Sequence, residues 1–184
     1  PARYLLAAAA FSDNQFESAR SNAELYLEKV PGDVAGSNLL AAAALRLNDP
    51  KRAVEILEPL AKANGDNNQL RVQLASAYLG VGRSEEAVKL FEQGVQAEPE
   101  NDQTRMALAV SQLQTGAVDA GVLQLQKLIE AKPDSLRANQ LLILAHLQGK
   151  QFDKAVATAD AMIKASPKSA EAHNLKGTVS LAKD

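Results

Sequence analysis

A period of 34 residues constrains this chain more than any other feature. Stepping by 34 from Leu74 lands on Leu6, Leu40, Leu108 and Leu142. From Ala87 the same step gives Ala19, Ala53, Gly121 and Ala155; from Ala75 it gives Ala7, Ala41, Ala109, Ile143 and Gly177. From Leu79 it gives Phe11, Leu45, Leu113, Leu147 and Leu181, and from Pro99 it gives Pro31, Gly65, Pro133 and Pro167. Small residues, leucines and a closing proline recurring in phase mark stacked supersecondary units, each too small to bury its own apolar face.

The clearest copy runs from Asn68 to Pro99 and reads as two short helices joined by a tight turn. Leu70, Leu74, Ala77 and Tyr78 recur at spacings of three and four, which places them on one helical stripe. Gly80-Val81-Gly82 stops that helix, because glycine is poor inside a helix and tolerates positive φ. Ser84 is an expected N-cap for the second helix, with Glu85 and Glu86 suited to its positive end. Ala87, Leu90, Phe91, Gly94 and Val95 form the second stripe, and Pro99 closes it. Ala75, Ala87 and Gly94 are small where two backbones would cross.

These residues resemble the tetratricopeptide repeat (TPR) pattern. Its Leu-Gly/Ala pair, aromatic, small residue after the turn, second aromatic, second small residue and closing proline are filled here by Leu74, Ala75, Tyr78, Ala87, Phe91, Gly94 and Pro99. The chain departs from the pattern in having no Trp, and Ala23, Ala44 and Leu57 stand where aromatics are usual; those changes bear on packing tightness rather than on fold. The resemblance implies an all-α fold, a right-handed α-α superhelix (TPR solenoid) of five helix pairs plus one terminal helix. Residues 1–184 are expected to form a single array, with repeats near 1–33, 34–67, 68–101, 102–135 and 136–169 and a half repeat at 170–184. An opening at Pro1 and a stop after half a repeat suggest part of a longer array.

The expected helices are Ala2–Ser12 with Phe16–Lys29, Val34–Leu47 with Pro50–Ala63, the pairs beginning at Asn68 and Asp102, Leu136–Gln148 with Phe152–Ala165, and a lone Ala170–Leu181. Gly36 weakens the start of the third helix. Asp49 before Pro50 is a strong helix entry. Pro59 removes a hydrogen bond to Glu55 at a cost of about 3 kcal/mol, which predicts a local kink.

Net charge is −2, so no broad pull on nucleic acid or anionic membrane is expected. No apolar run is long enough for a membrane-spanning helix. The absence of cysteine excludes disulfides and thiol chemistry and leaves the compartment open. His146 and His173 lack a second ligand at helical spacing and fall where the TPR pattern places aromatics, which makes them partly buried packing residues. Glu85, Glu86, Glu98, Asp102 and Asp49 sit at helix starts or loops and suit the dipole there. Gly80-x-Gly82 joins two helices rather than a strand to a helix, so it is no phosphate loop. No catalytic residue, cofactor or metal site is expected, and the chain reads as non-enzymatic.

The TPR resemblance implies that the first helix of each pair lines a concave groove. By phase, its partner-binding positions are Tyr4, Asn38, Arg46, Gln69, Val72, Gln103, Met106, Val110, Gln114, Arg137, Gln140 and Leu144. The set is apolar in the middle, amide-rich at its edges and poor in charge. The basic clamp of TPRs that hold chaperone C-termini is absent, since the matching places hold Tyr4, Ala8, Asn38, Ala42 and Val72. The ladder from Phe11 through Leu147 fits either groove or helix-to-helix packing. The expected partner is a protein or peptide inserting aliphatic side chains. A homo-oligomer built through open ends or through the concave face, with Leu175, Val179 and Leu181 presented by the last helix, is the alternative. A carbohydrate binder would need aromatic platforms, and only Tyr4 and Phe11 qualify.

Within the TPR class the stretches Asn38–Leu45 and Asn139–Ala145 resemble bacterial TPR lipoproteins of PEP-CTERM and exopolysaccharide systems. That likeness implies a periplasmic or outer-membrane-anchored setting, with the cytoplasm as the other expectation.

Overall fold

The computed structural model describes residues 2–183. They form α1 (Ala2–Ser12), α2 (Phe16–Leu27), α3 (Val34–Arg46), α4 (Pro50–Ala63), α5 (Asn68–Gly80), α6 (Ser84–Ala97), α7 (Asp102–Gln114), α8 (Val118–Ala131), α9 (Leu136–Gln148), α10 (Phe152–Ala165) and α11 (Ala170–Lys183). Among the described residues there are no strands, and the fold is an all-α helical repeat. The chain divides into two compact units, Pro1–Ala97 with α1–α6 and Glu98–Asp184 with α7–α11.

In the first unit each helix packs against the next, and α1, α3 and α5 also touch in succession. Among the described residues of this unit, the backbones of α2, α4 and α6 do not approach one another as closely. The odd helices therefore make the closer, inner layer. The second unit repeats this plan, with α7, α9 and α11 in the inner layer.

Small side chains set how closely the layers approach. Ala7, Ala41, Ala75 and Ala109 have no solvent exposure, nor do Ala19, Ala53, Ala87 and Ala155. Beside them lie Ala23, Leu57, Phe91, Leu125 and Ala159, one from each outer helix and all buried. Gly36 has a local reason: a Cβ there would stand 2.7 Å from the Tyr26 ring. Gly80 has another, since a Cβ would meet Pro50 Cβ at 2.4 Å.

The turn from inner to outer helix is the same in every repeat. Asn14, Asn48, Gly82, Gly116 and Lys150, spaced by 34, all adopt positive φ. The residue after each donates its N–H to the carbonyl five positions back, as in Gln15 to Ala10, Asp49 to Ala44, Arg83 to Tyr78, Ala117 to Gln112 and Gln151 to His146. That bond closes a Schellman cap. Inner helices begin at a second phased set: Asp33, Asn67, Asn101 and Ser169 each accept a backbone N–H three residues ahead.

Asp49 caps α4 ahead of Pro50 as expected, accepting from the Arg52 N–H at 3.2 Å. α4 continues through the exposed Pro59 to Ala63. Ser84, by contrast, is the first residue of α6 rather than its cap, because the Schellman turn finishes at Arg83.

Three residues before the Leu74 phase, four repeats place hydrogen-bonding side chains. Arg71 reaches the Gly65 carbonyl at 2.6 Å, Arg105 the Pro99 carbonyl at 2.5 Å and Asn139 the Pro133 carbonyl at 3.0 Å. His173 Nε2 lies 3.0 Å from the Pro167 carbonyl. Each tie runs back six residues onto the loop that enters the repeat.

Among the described residues, Lys150 is the one with positive φ that is neither Gly nor Asn. A left-handed conformation costs an L-residue with a Cβ about 1–2 kcal/mol, part of which a glycine returns through its freer unfolded state. Lys150→Gly should therefore raise unfolding free energy by about 0.5–1 kcal/mol in urea titration. An unchanged or lower value would contradict the turn geometry.

Candidate functional site

The inner layer of each unit carries a cleft. In the first, a cleft of about 640 Å³ is lined by Tyr4 and Phe11 of α1, Val34, Ala35, Asn38, Leu39 and Ala42 of α3, and Gln69, Leu70 and Gln73 of α5, with Asp33 and Asn67 at helix entries. In the second, a cleft of about 270 Å³ lies between α7 and α9, lined by Val110, Leu113, Gln114, Leu141, Leu144, Ala145 and Gln148.

The two differ in chemistry. The first holds two aromatic rings, several amides and one carboxylate, with no Lys or Arg. Tyr4 stacks at a tilt on Tyr26, ring centroids 5.6 Å apart, and Phe11 meets Phe16 edge-on at 5.4 Å. Asp33 is held by its cap bond to the Gly36 N–H at 2.7 Å. Asn38 Oδ1 and Gln73 Oε1 are shielded from solvent yet have no hydrogen-bond partner. An unsatisfied buried polar atom costs about 1–3 kcal/mol. The second cleft is aliphatic, with Gln114 and Gln148 as its polar lining.

Of the positions expected in the groove, Tyr4, Asn38 and Gln69 line the first cleft. Val110, Gln114 and Leu144 line the second, Leu144 at 50% exposure. Val72 is half-buried. Arg46 is exposed and stacks its guanidinium 4.6 Å over the Phe16 ring. Gln103, Arg137 and Gln140 are exposed. Met106 is half-buried and packs against the core formed by Ala109, Leu125, Leu128, Ala138 and Leu142. Gln73 was not among the expected groove residues. The signal was present, since the same phase holds Leu5, Leu39, Ala107, Leu141 and Leu175.

The ladder residues do both jobs. Phe11, Leu113 and Leu147 pack against buried clusters. Phe11 and Leu113 also line the clefts. Leu113 Cγ would stand 2.9 Å from a Cβ at Gly121, so it fills the seam between α7 and α8.

Several polar residues have structural roles. Arg83 pairs with Glu58 at 2.6 Å and Glu86 at 2.5 Å, and lies 3.9 Å over the Tyr78 ring. Tyr78 donates its hydroxyl to Glu58 at 2.9 Å. The hydrogen bond from Arg83 holds both carboxyls below their ordinary range. This group ties α4, α5 and α6 together. His146 is buried, with Nδ1 3.0 Å from Gln151 Oε1. His173 is exposed rather than partly buried, because its ring reaches outward to the loop carbonyl. Among the described residues no group of His, Asp and Glu could hold a metal, and no helix is long and apolar enough to cross a membrane.

The tetratricopeptide repeat family profile matches residues 44–109, 78–138 and 122–178. The chain belongs to the tetratricopeptide repeat family. Its fold is similar to that of MamA, with a TM-score of 0.79 and 18% identity over 90% of this chain and 91% of the other. TTC0263 of Thermus thermophilus, a thermophilic TPR protein, aligns with a TM-score of 0.70 and 17% identity over 97% of both chains. YrrB, described as a TPR protein with an unusual peptide-binding site, aligns at 0.75 and 18% over 93% of this chain and 88% of that one. No curated protein matches the sequence.

Burial pushes His146 below its ordinary value of 6.5, outweighing the bond to Gln151. The unfolded chain therefore takes up the proton first, and stability falls as pH drops below about 6.5. His146→Gln, which copies Gln112 of the preceding repeat, should remove that part of the slope. Urea titrations at several pH values from neutral into the acid range check it; an identical pH slope in the variant would contradict the burial argument.

Proposed function

We propose that this chain is a non-enzymatic protein-interaction scaffold that holds a partner's peptide or helix in the clefts of its inner layer. The observation that carries this is Leu144, half exposed at an aliphatic cleft beside Val110 and Leu113. A leucine left in water next to a preformed apolar recess gains free energy only when something covers it. The family and the peptide-binding site named for YrrB support the same reading. The single-array organisation over residues 1–184 belongs to this proposal, as does a setting in the bacterial envelope or exopolysaccharide export. What supports the setting is the repeat texture of Asn38–Leu45 and Asn139–Ala145.

The probes are 12-residue peptides selected on the intact chain from a randomised display library. For those carrying aliphatic anchors, Leu144→Glu should weaken binding at least about tenfold in fluorescence anisotropy, about 1.4 kcal/mol, with little change in melting temperature. Leu113→Glu, at a half-buried position packed against Ala109 and Gly121, should lower the melting temperature as well. Unaltered affinity of every selected peptide for Leu144→Glu would remove this cleft from the proposal.

A second reading is self-association, and its basis moves to the other end of the chain. Val179 is fully buried against Ile143, Ala155 and Ala159, and Leu175 packs on the same cluster, so of the apolar residues expected to be open on α11 only Leu181 stays so. On α1, however, Leu5 and Leu6 are 65% and 53% exposed, whereas Leu40, Leu74, Leu108 and Leu142, in phase with Leu6, are buried. A second copy covering this face should give a dimer mass by light scattering at high micromolar concentration that falls to monomer for Leu6→Glu. A monomer mass throughout would exclude it over that range.

A further inference from the structure

The closing-proline phase has one exception. Pro31, Pro99, Pro133 and Pro167 occupy it in four repeats, and Gly65 stands there in the other. A proline nitrogen in a peptide carries no hydrogen and cannot become a nucleophile. A glycine nitrogen does, and it has no Cβ beside it to hinder its approach to another atom. The residue ahead of Gly65 is Asn64, which makes this the one Asn-Gly pair in the sequence. The break in the repeat therefore places a side-chain amide next to an unhindered backbone nitrogen.

The structure leaves both groups available. Gly65 is exposed, and a Cβ added to it would meet nothing within 4 Å. Among the described residues no acceptor binds the Gly65 N–H. Asn64 is the half-buried C-cap of α4, and its Nδ2 donates to the Leu60 carbonyl at 2.9 Å. That bond holds the end of the last turn and must open before the amide can react. Helix ends open readily, because they sit at the low-stability end of the fold.

We infer that Asn64–Gly65 is a site of spontaneous deamidation, which turns the cap of α4 into a carboxylate. The Gly65 nitrogen gives its proton to hydroxide or water and attacks Asn64 Cγ. A bond forms between that nitrogen and Cγ, the Cγ–Nδ2 bond breaks, and Nδ2 leaves as ammonia. A succinimide ring then lies in the chain, and water opens it. Opening at one carbonyl gives aspartate; opening at the other gives isoaspartate, with the main chain routed through Cβ and Cγ. The sum consumes one water and releases one ammonia. No partner takes part, so the inference stands apart from the scaffold reading.

Both products disturb the junction of α4 and α5. The donor to Leu60 is lost, and a negative charge replaces it at the negative end of α4. Isoaspartate does more. It moves the Asn64 carbonyl, which accepts from the Asn67 N–H at 2.9 Å, out of the main chain. It also lengthens the link to Gly65, whose carbonyl holds Arg71 at 2.6 Å.

The test ages the intact chain at mildly alkaline pH and follows every asparagine by peptide mass spectrometry, with released ammonia as a second readout. Asn64 should convert at least about tenfold faster than any other asparagine, with aspartate and isoaspartate both present. Gly65→Pro supplies the residue of the other four repeats and should stop the reaction. Asn64 already has φ −128° and ψ 55°, close to φ −138°, ψ 86° at Lys132 and φ −136°, ψ 76° at Ser166, each of which precedes a proline. Gly65→Pro should therefore melt no lower than wild type. Gly65→Val, which keeps the N–H beside a branched side chain, should slow the conversion strongly. Asn64→Asp should lower the melting temperature by about 2–4 °C. The inference fails if Asn64 converts no faster than the other asparagines, or if both Gly65 variants convert at the wild-type rate. An Asn64→Asp variant that melts as wild type does would overturn the uncapping of α4.

Discussion

Everything in this structure depends on how closely helix backbones can approach along two columns of small residues. Ala7, Ala41, Ala75 and Ala109 on the inner helices, and Ala19, Ala53, Ala87 and Ala155 on the outer ones, are sealed from solvent. At Gly121, in phase with the outer column, even a methyl group would lie 3.0 Å from the Ala109 carbonyl. Interiors are packed too densely for such a contact to be relieved locally. A larger side chain at one of these positions would separate a helix pair, and each neighbour rests on that pair. The spacing within each unit therefore follows from a methyl-sized constraint repeated every 34 residues.

A tight seam leaves little room for large side chains, and this explains how the chain manages with so few aromatics. Three residues before the Leu74 phase, Arg71, Arg105, Asn139 and His173 bind the carbonyl of the loop that enters the repeat. The loop is held by a hydrogen bond rather than by ring burial. Packing tightness is not sacrificed, because the columns beside the seam are still closed by Leu57, Phe91 and Leu125. The single aromatic at the Tyr78 phase is enclosed by charge: Arg83 covers its face and Glu58 accepts from its hydroxyl.

Periodicity made the helices legible almost residue for residue, since burial phase, caps and turn residues all recur together. Asp49-Pro50 identified its own cap. Depth was harder to read. Leu113 and Met106 belong to the inner layer by phase, but phase gives an angle around a helix and not the distance to the next one; Leu113 shares itself between core and cleft, and Met106 turns to the core. Val179 was expected to be open and is buried for the same reason. At the fifth turn the sequence offers Gly149, yet Lys150 takes the left-handed conformation. The Schellman bond from Gln151 to His146 fixes the register of the turn, and the backbone geometry prevails over the preference of a single residue.

The cleft positions follow a different rule from the seam, and this is why function was less legible than fold. One phase reads Tyr4, Asn38, Val72, Met106, Gln140 and Asn174, with no shared size or polarity. Two residues later the phase reads Leu6, Leu40, Leu74, Leu108 and Leu142, with Lys176 as the one departure. Packing buries Leu40, Leu74, Leu108 and Leu142 of the second set but takes up the first only in part, through Met106. Because the stack constrains these positions less than it constrains the seam, they differ from repeat to repeat, and they give an amide-rich aromatic cleft in one unit and an aliphatic one in the other.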